Sequence, residues 1–328
     1  MVVSIFTSIQ TFADLVTYTW LGLAPNSYLS DAMNYFIYDV IKIGILLIVI
    51  NYIMAITRYY LPIEKIKYIL TKRRWYGVDY FLAAGLGVLT PFCSCSSIPL
   101  FIGFLSAGIP LGVTITFLIS SPLINEASLY LFPSVFGWNI TILYNLIGMG
   151  ISMAGGMLIQ KMHMEKYVQS EFLKFKSKKQ VERELDTENV PMKDLIHHWT
   201  QEVREITQTI FPYVIFGVGI GAIIHGFVPE RLIAYYLSQR TWYVIPLATL
   251  MGVPLYANSI SIIPIIEALV EKGIPLGSAL AFMTSTVALS LPEALILKRV
   301  MKWQLLTAFF GMTIVGIMII GYFFNAVG

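Results

Sequence analysis

Cysteine occurs twice in the 328-residue sequence, at Cys93 and Cys95, inside the run Thr90-Pro91-Phe92-Cys93-Ser94-Cys95-Ser96-Ser97. Two cysteines make no disulfide framework, and a bridge across one intervening residue is strained. Their chemistry is that of a soft thiolate ligand for Cu(I), zinc or, by the same logic, trivalent arsenic, or else that of a small buried hydrophobe. The setting favours ligation. The pair interrupts an apolar region, and a non-helical segment flanked by Ser94, Ser96 and Ser97 lets both sulfurs face one ligand. A second break, Pro254-Leu255-Tyr256-Ala257-Asn258-Ser259-Ile260-Ser261, puts Asn258 where the first has Cys93 and Ile260 where it has Cys95. Thiol chemistry is then one-sided, with Asn258, Ser259 and Ser261 as the facing polar groups of a solute site.

Three carboxylates, Glu126, Glu267 and Glu293, fall inside apolar stretches, where a charge costs roughly 2.5–3.5 kcal/mol at mid-membrane. Asn125-Glu126 and Pro292-Glu293 sit at similar depths and are candidates for proton coupling, with snorkelling or helix capping as the plainer alternative. Glu267 precedes Glu271-Lys272 at an outer turn, and His225 reads as interfacial. The sequence has no Cys-x-x-Cys, no second cysteine pair for a relay and no histidine pattern suited to haem or quinone. A membrane thiol oxidoreductase using Cys93 and Cys95 is therefore the weaker class, an enzyme is not expected, and no cofactor is called for.

The elements that carry these residues are set by composition. Charged residues are 12% and hydrophobic ones 57% of the chain, against about 25% charged in a soluble domain, and the mean hydropathy is +0.73. That leaves too little polar surface for a water-soluble globule. The net charge of +3 comes from 22 basic and 19 acidic residues, neither in excess nor interleaved with aromatics, so no nucleic-acid partner is implied. The partners are a lipid bilayer and a small solute, and a homo-oligomer is compatible with the pattern.

A helix needs about 20 apolar residues to cross about 30 Å of hydrocarbon. Six stretches qualify: Asn34 to Thr57, Pro110 to Phe132, Asn139 to Gln160, Ile206 to Phe227, Pro275 to Leu297 and Gln304 to Phe324. Between them lie pieces too short to span, Trp75 to Leu89 with Ile98 to Ala107, and Trp242 to Met251 with Ile262 to Val270, each pair parted by one of the polar breaks. Each pair reads as a re-entrant hairpin, with irregular backbone at depth tolerated where it lines a cavity or packs on protein. At the N-terminus, Val2, Ile5, Phe6, Ile9, Phe12, Ala13 and Val16 keep a helical period against a polar face that includes Asp14. That pattern favours an interfacial amphipathic helix over an extra span.

Residues spaced 165 apart repeat: Ser94, Ser96, Ile98 and Pro99 meet Ser259, Ser261, Ile263 and Pro264, and Gly108-Ile109-Pro110-Leu111-Gly112 meets Gly273-Ile274-Pro275-Leu276-Gly277. The chain is a duplication. Lysine and arginine concentrate in 58–74, 161–205 and 298–302, which marks those segments as cytoplasmic. The basic loop 58–74 then corresponds to the charge-poor loop 228–241 on the opposite side, so the halves are antiparallel. The expected fold is an all-α polytopic membrane protein with an inverted-topology repeat, each half holding about three full spans and a broken-helix hairpin. Its parts are an N-terminal amphipathic segment 1–33, a first repeat 34–160, a cytoplasmic linker 161–205 ending in an amphipathic helix, Met192 to Thr209, and a second repeat 206–328.

Thr90 to Pro99, followed by Gly108 to Gly112 and by Ser120-Ser121-Pro122-Leu123-Ile124-Asn125-Glu126, resembles the ArsP/YraQ-type predicted permease family. Gly252-Val253-Pro254-Leu255-Tyr256-Ala257-Asn258-Ser259 with Ala288-Leu289-Ser290-Leu291-Pro292-Glu293 is similar to that family's second signature. The resemblance covers about residues 40 to 325. It implies a multi-pass permease of the cell (inner) membrane, with relatives that export trivalent organoarsenicals and others linked to copper or zinc export. Cys93 and Cys95 are then the ligands of a thiophilic solute or of a metal in passage.

Overall fold

The computed structural model describes residues 2–25, 27–60, 77–89, 94–106, 108–124, 126–169, 192–227, 237–239, 241–253, 262–263, 266–267, 269–270 and 273–327. The described chain is nearly all helix, and its only β pairing is an isolated bridge between Val168 and Met301. In order come α1 (Val2–Asp14), continued as a π-helix over Leu15–Trp20, α2 (Tyr28–Tyr60), α3 (Val78–Leu89), α4 (Ser94–Ser106) and α5 (Leu111–Leu123). The short α6 (Glu126–Tyr130) and α7 (Phe132–Val135) lead into α8 (Trp138–Lys161). Then follow α9 (Met192–Phe227), α10 (Val244–Gly252), α11 (Leu276–Ala288), α12 (Leu291–Val300) and α13 (Trp303–Val327). Among the described residues, three helices are long and apolar enough to cross a bilayer: Tyr28–Ile53 within α2, α8 and α13.

Two expected spans are broken. Pro110 to Phe132 is α5, a break after Leu123, and the short α6 and α7. Pro122 lies inside the last turn of α5 and brings no N–H to it, and Ile124 then leaves helical geometry at φ −121° and ψ 82°. Pro275 to Leu297 is α11 and α12, bent by 51°. Here Ser290 is extended, and its side chain accepts a hydrogen bond from the N–H of Glu293. Ser290-x-x-Glu293 is thus the Ser-x-x-Glu start signal of a new helix. A third difference runs the other way: Met192 to Thr209 and Ile206 to Phe227, read as two pieces, form the single 36-residue α9. Leu195, Trp199, Val203, Val214 and Val218 are buried along it, one seam at helical spacing.

α9 lies antiparallel on α2. Phe36 packs at Gly219, Phe211 at Gly44, and the Tyr52 hydroxyl meets Thr200 Oγ1 at 2.7 Å. α1 is held to α2 on its polar side, where Asp14 accepts from the amides of Gln10 (2.9 Å) and Asn34 (2.8 Å). Phe12, Leu15 and Trp20 remain exposed.

Within the first half, α5 runs antiparallel to α8: Gly112 N donates to Gln160 Oε1 at 2.7 Å at one end, and Gly148 packs on Leu123 and Ile124 towards the other. α3 runs parallel to α5, because Tyr80 faces Gly112 while Gly87 faces Phe117, Ser120 and Ser121. α4 turns into α5 through Gly108, whose φ of 80° suits glycine, and Phe104 stacks edge-on to Phe117 at 5.3 Å. The arms α3 and α4 therefore start and finish at the Lys161 end of α8, where Gly77 approaches Met157, and the last turn of α3 lies level with the last turn of α5.

The same contacts recur 165 residues on. Gly252 faces Phe282 and Ser285 as Gly87 faces Phe117 and Ser120, and Gly277 faces Gly321 and Asn325 as Gly112 faces Gly156 and Gln160. α11 and α13 begin 165 residues after α5 and α8. Between the two sets, α8 and α13 pack antiparallel, with Ile151 against Gly316 and the rings of Tyr144 and Phe324 6.4 Å apart. The residues after α8 join this core: Lys302 N donates to Tyr167 O and Gln169 N to Val300 O, both at 2.8 Å. Lys161, Lys166, Lys298, Arg299 and Lys302 thus gather at one end.

Candidate functional site

Among the described residues, helices break after α5 and between α11 and α12. In the first half, the last turn of α3 lies level with the last turn of α5. In the second, α10 ends at Gly252 beside α11, which stops at Ala288 before the extended Ser290. α4 and α12 are in contact across the two halves. Such breaks leave the first N–H groups of the following helix without intrahelical partners, a source of polarity deep in an apolar body.

Of the residues singled out in the sequence, Ser94, Cys95, Ser96 and Ser97 form the first turn of α4. The helix therefore starts earlier than the open segment Thr90 to Ser97 anticipated. Hydroxyl residues suit such a start because they satisfy free N–H groups. Ser97 is fully buried. Cys93, Asn125, Asn258, Ser259 and Ser261 lie outside the described residues. Glu126 opens α6, the element immediately after the first break. Glu293 lies in the first turn of α12 with its side chain buried and its N–H on Ser290 Oγ at 3.3 Å. At that position a carboxylate faces the positive end of the helix dipole. Among the described residues, no three His, Cys, Asp or Glu side chains converge.

Three features were not anticipated. Tyr144, fully buried, donates its hydroxyl hydrogen to Leu123 O at 3.0 Å and lies 2.9 Å from Thr284 Oγ1. Asn51 is buried on α2, and neither atom of its amide has a hydrogen-bond partner among the described residues. Its sequence signal was an amide inside an apolar run, Ile48 to Met54. A cavity of about 200 Å³ opens beside the α11–α12 break, lined by Val253, Ser290, Ala294, Trp303, Leu306, Thr307 and Phe310. Its walls are apolar except at Ser290 and Thr307.

The family comparison fits this arrangement. Residues 28–326 match the ArsP-type family described as predicted permeases. The chain belongs to this family. It is a membrane permease, a transporter, by that membership. UPF0718 protein MJ0584 of Methanocaldococcus jannaschii is 24% identical, over 75% of this chain and 81% of that protein. UPF0718 protein YcgR of Bacillus subtilis is 36% identical over 22% of this chain and 24% of its own length. No solved structure matches the chain. The matched region begins at α2, so α1 and its π-helical continuation lie outside it.

Proposed function

We propose that this permease exports a soft, thiol-seeking solute from the cell, foremost a monosubstituted trivalent organoarsenical, through the break between α3 and α4 and the Pro254 to Ser261 break that follows α10. The observation that carries this reading is the position of Cys95. It stands in the first turn of α4, two residues from the chain's other cysteine, at a break whose arms enter and leave from one end of α8. Arsenic(III) forms three bonds. Inorganic arsenite takes three thiolates for a full soft shell, whereas a methyl or aryl arsenical already has one carbon bond and needs two. Cys93 and Cys95 supply two. Ser94, Ser96, Ser97, Asn258, Ser259 and Ser261 line the path, the cavity beside Ser290 takes the organic group, and Asn125, Glu126 and Glu293 are the polar groups available for coupling.

The fold that serves this function is an inverted repeat, about 34–160 and 206–328, after an N-terminal segment 1–33. Support comes from the contact of Ile151 with Gly316, positions 165 residues apart on antiparallel helices. A two-fold rotation about an axis perpendicular to α8 and α13 produces such a meeting, and an axis in the membrane plane is how inverted-repeat transporters are built. The hairpins α3–α4 and α10 with residues 262–270 are then re-entrant from opposite faces. The gathered Lys161, Lys166, Lys298, Arg299 and Lys302 put the linker 161–205 in the cytoplasm of a cell-membrane protein.

The test is uptake into everted vesicles of methylarsenite, arsenite, Cu(I) and Zn(II). Methylarsenite should be preferred, and Cys93→Ser and Cys95→Ser should each abolish its transport while still inserting in the membrane. Full activity of the double variant removes thiol ligation from the mechanism. Preference for Cu(I) or Zn(II) makes the same cysteines metal ligands, with oxygen or nitrogen groups completing the shell.

A further inference from the structure

We propose that Tyr144 is a positioning residue for the first break: its hydroxyl ties the broken end of α5 to α11 of the other half and so steadies α4, which packs on α5 and carries Cys95 in its first turn. Leu123 is the last residue of α5, and the break leaves its carbonyl free of the helical ladder. The Tyr144 hydroxyl lies 3.0 Å from that carbonyl and 2.9 Å from Thr284 Oγ1 on α11. A carbonyl oxygen only accepts, so Tyr144 gives its single hydrogen to Leu123 and Thr284 gives its own to Tyr144. The direction of the chain is fixed, from α11 through α8 to the end of α5. The ring that carries the hydroxyl is held by Phe132 (5.1 Å) and Phe324 (6.4 Å).

This tether reaches the cysteines through packing. One turn before Leu123, Ser120 and Ser121 press on Gly87, and α3 ends two residues after Gly87 at Leu89. Loosening the end of α5 removes the wall against which α3 stops, and the cysteine segment follows directly.

The repeat separates this role from simple packing. At a spacing of 165 residues, Tyr144, Leu123 and Thr284 correspond to Phe309, Ala288 and Ile119, all buried and all apolar. The second copy of the arrangement carries no hydroxyl at these three positions. The pair of hydroxyls therefore occurs once, Tyr144 on the half that carries the cysteines and Thr284 on the other.

The inference rests on the reading that the first break is the solute site, yet its test needs no solute. Cys93 and Cys95 are the only thiols, so their rate of reaction with N-ethylmaleimide in membrane vesicles reports the position of the segment. Tyr144→Phe and Thr284→Val should each raise that rate about fivefold, as expected for losing one net hydrogen bond that opposes opening. The double variant should label no faster than either single one. Thr284→Ser, which keeps the donor, should label at the native rate. Each variant is scored only as a monodisperse full-length protein, and if Tyr144→Phe does not fold, the Thr284 pair decides. An unchanged rate in Thr284→Val, or a Thr284→Ser that behaves as Thr284→Val, overturns the proposal. Loss of arsenical export in the vesicle assay leaves these rates untouched, so the two readings fail separately.

Discussion

Gly85 and Gly87 stand two residues apart on α3, yet the packing predicts opposite outcomes for the same substitution. A methyl group at Gly85 meets nothing within 4 Å, so Gly85→Ala removes only the helix penalty of glycine, about 0.5–1 kcal/mol. A methyl group at Gly87 meets the Ser120 hydroxyl, Ser121 N at 3.0 Å and Phe117 O at 3.1 Å. The hydroxyl can turn away, but it then gives up its bond to Phe117 O, now 3.1 Å, at about 1 kcal/mol. The two backbone atoms cannot turn. Carbon contacts are comfortable near 3.5 Å, so α3 must retreat about 0.5 Å from α5, and overpacking of this kind costs about 1–3 kcal/mol. After the propensity gain, Gly87→Ala should be destabilised by about 2 kcal/mol and Gly85→Ala stabilised by up to about 1. Thermal unfolding of the purified proteins in detergent, followed by tryptophan fluorescence, measures both. If Gly87→Ala melts no lower than Gly85→Ala, close packing of α3 on α5 is not what sets the depth of the first break, and the account of the site built on it is wrong.

Cysteine-accessibility labelling should place 58–74, 161–205 and 298–302 on the cytoplasmic side and the loop around Pro229 outside; finding the linker and that loop on one side sinks the inverted arrangement. Ser290→Ala should lower stability by about 1 kcal/mol, the usual loss for a helix cap, in the same unfolding assay, whereas an unchanged melting point would mean that the cap does not hold the α11–α12 bend. Asn51→Leu should raise stability by about 1–3 kcal/mol, since it removes a buried amide that no described residue pairs. A fall instead would assign that amide a bond formed only in the folded protein at work.

The apolar runs made α2, α8 and α13 legible, because length and composition alone decide whether a helix can span. The breaks after Leu123 and Ala288 were harder. Ser120-Ser121-Pro122 and Ser290-Leu291-Pro292-Glu293 each look like polar residues tolerated inside a longer span, and only the cap between Ser290 and the Glu293 N–H reveals a new start. Glu293 drew attention as a carboxylate in an apolar stretch; its place in the first turn of α12 is what the capping signal encoded. In α9 the amphipathic helix Met192 to Thr209 and the span from Ile206 already overlap in the sequence, and the buried face through Trp199, Val203, Val214 and Val218 joins them into one helix. Tyr144 was illegible because one hydroxyl among aromatic packing residues has no local pattern; comparison with Phe309 at the equivalent position is the signal that could have found it.

The meeting of Ile151 with Gly316 is a knob in a hole. The isoleucine side chain occupies the space a Cβ on Gly316 would need, with Ile151 Cβ itself only 3.7 Å from that point. Suppose instead that a half paired with a second copy of itself. Two isoleucines would then collide there, and two glycines would leave a void with no atoms to fill it. Mismatched sizes at one crossing thus make each half the better companion of the other than of itself. In a crowded membrane holding many copies of this chain, that choice favours the meeting of unlike halves over the meeting of like halves from neighbouring copies.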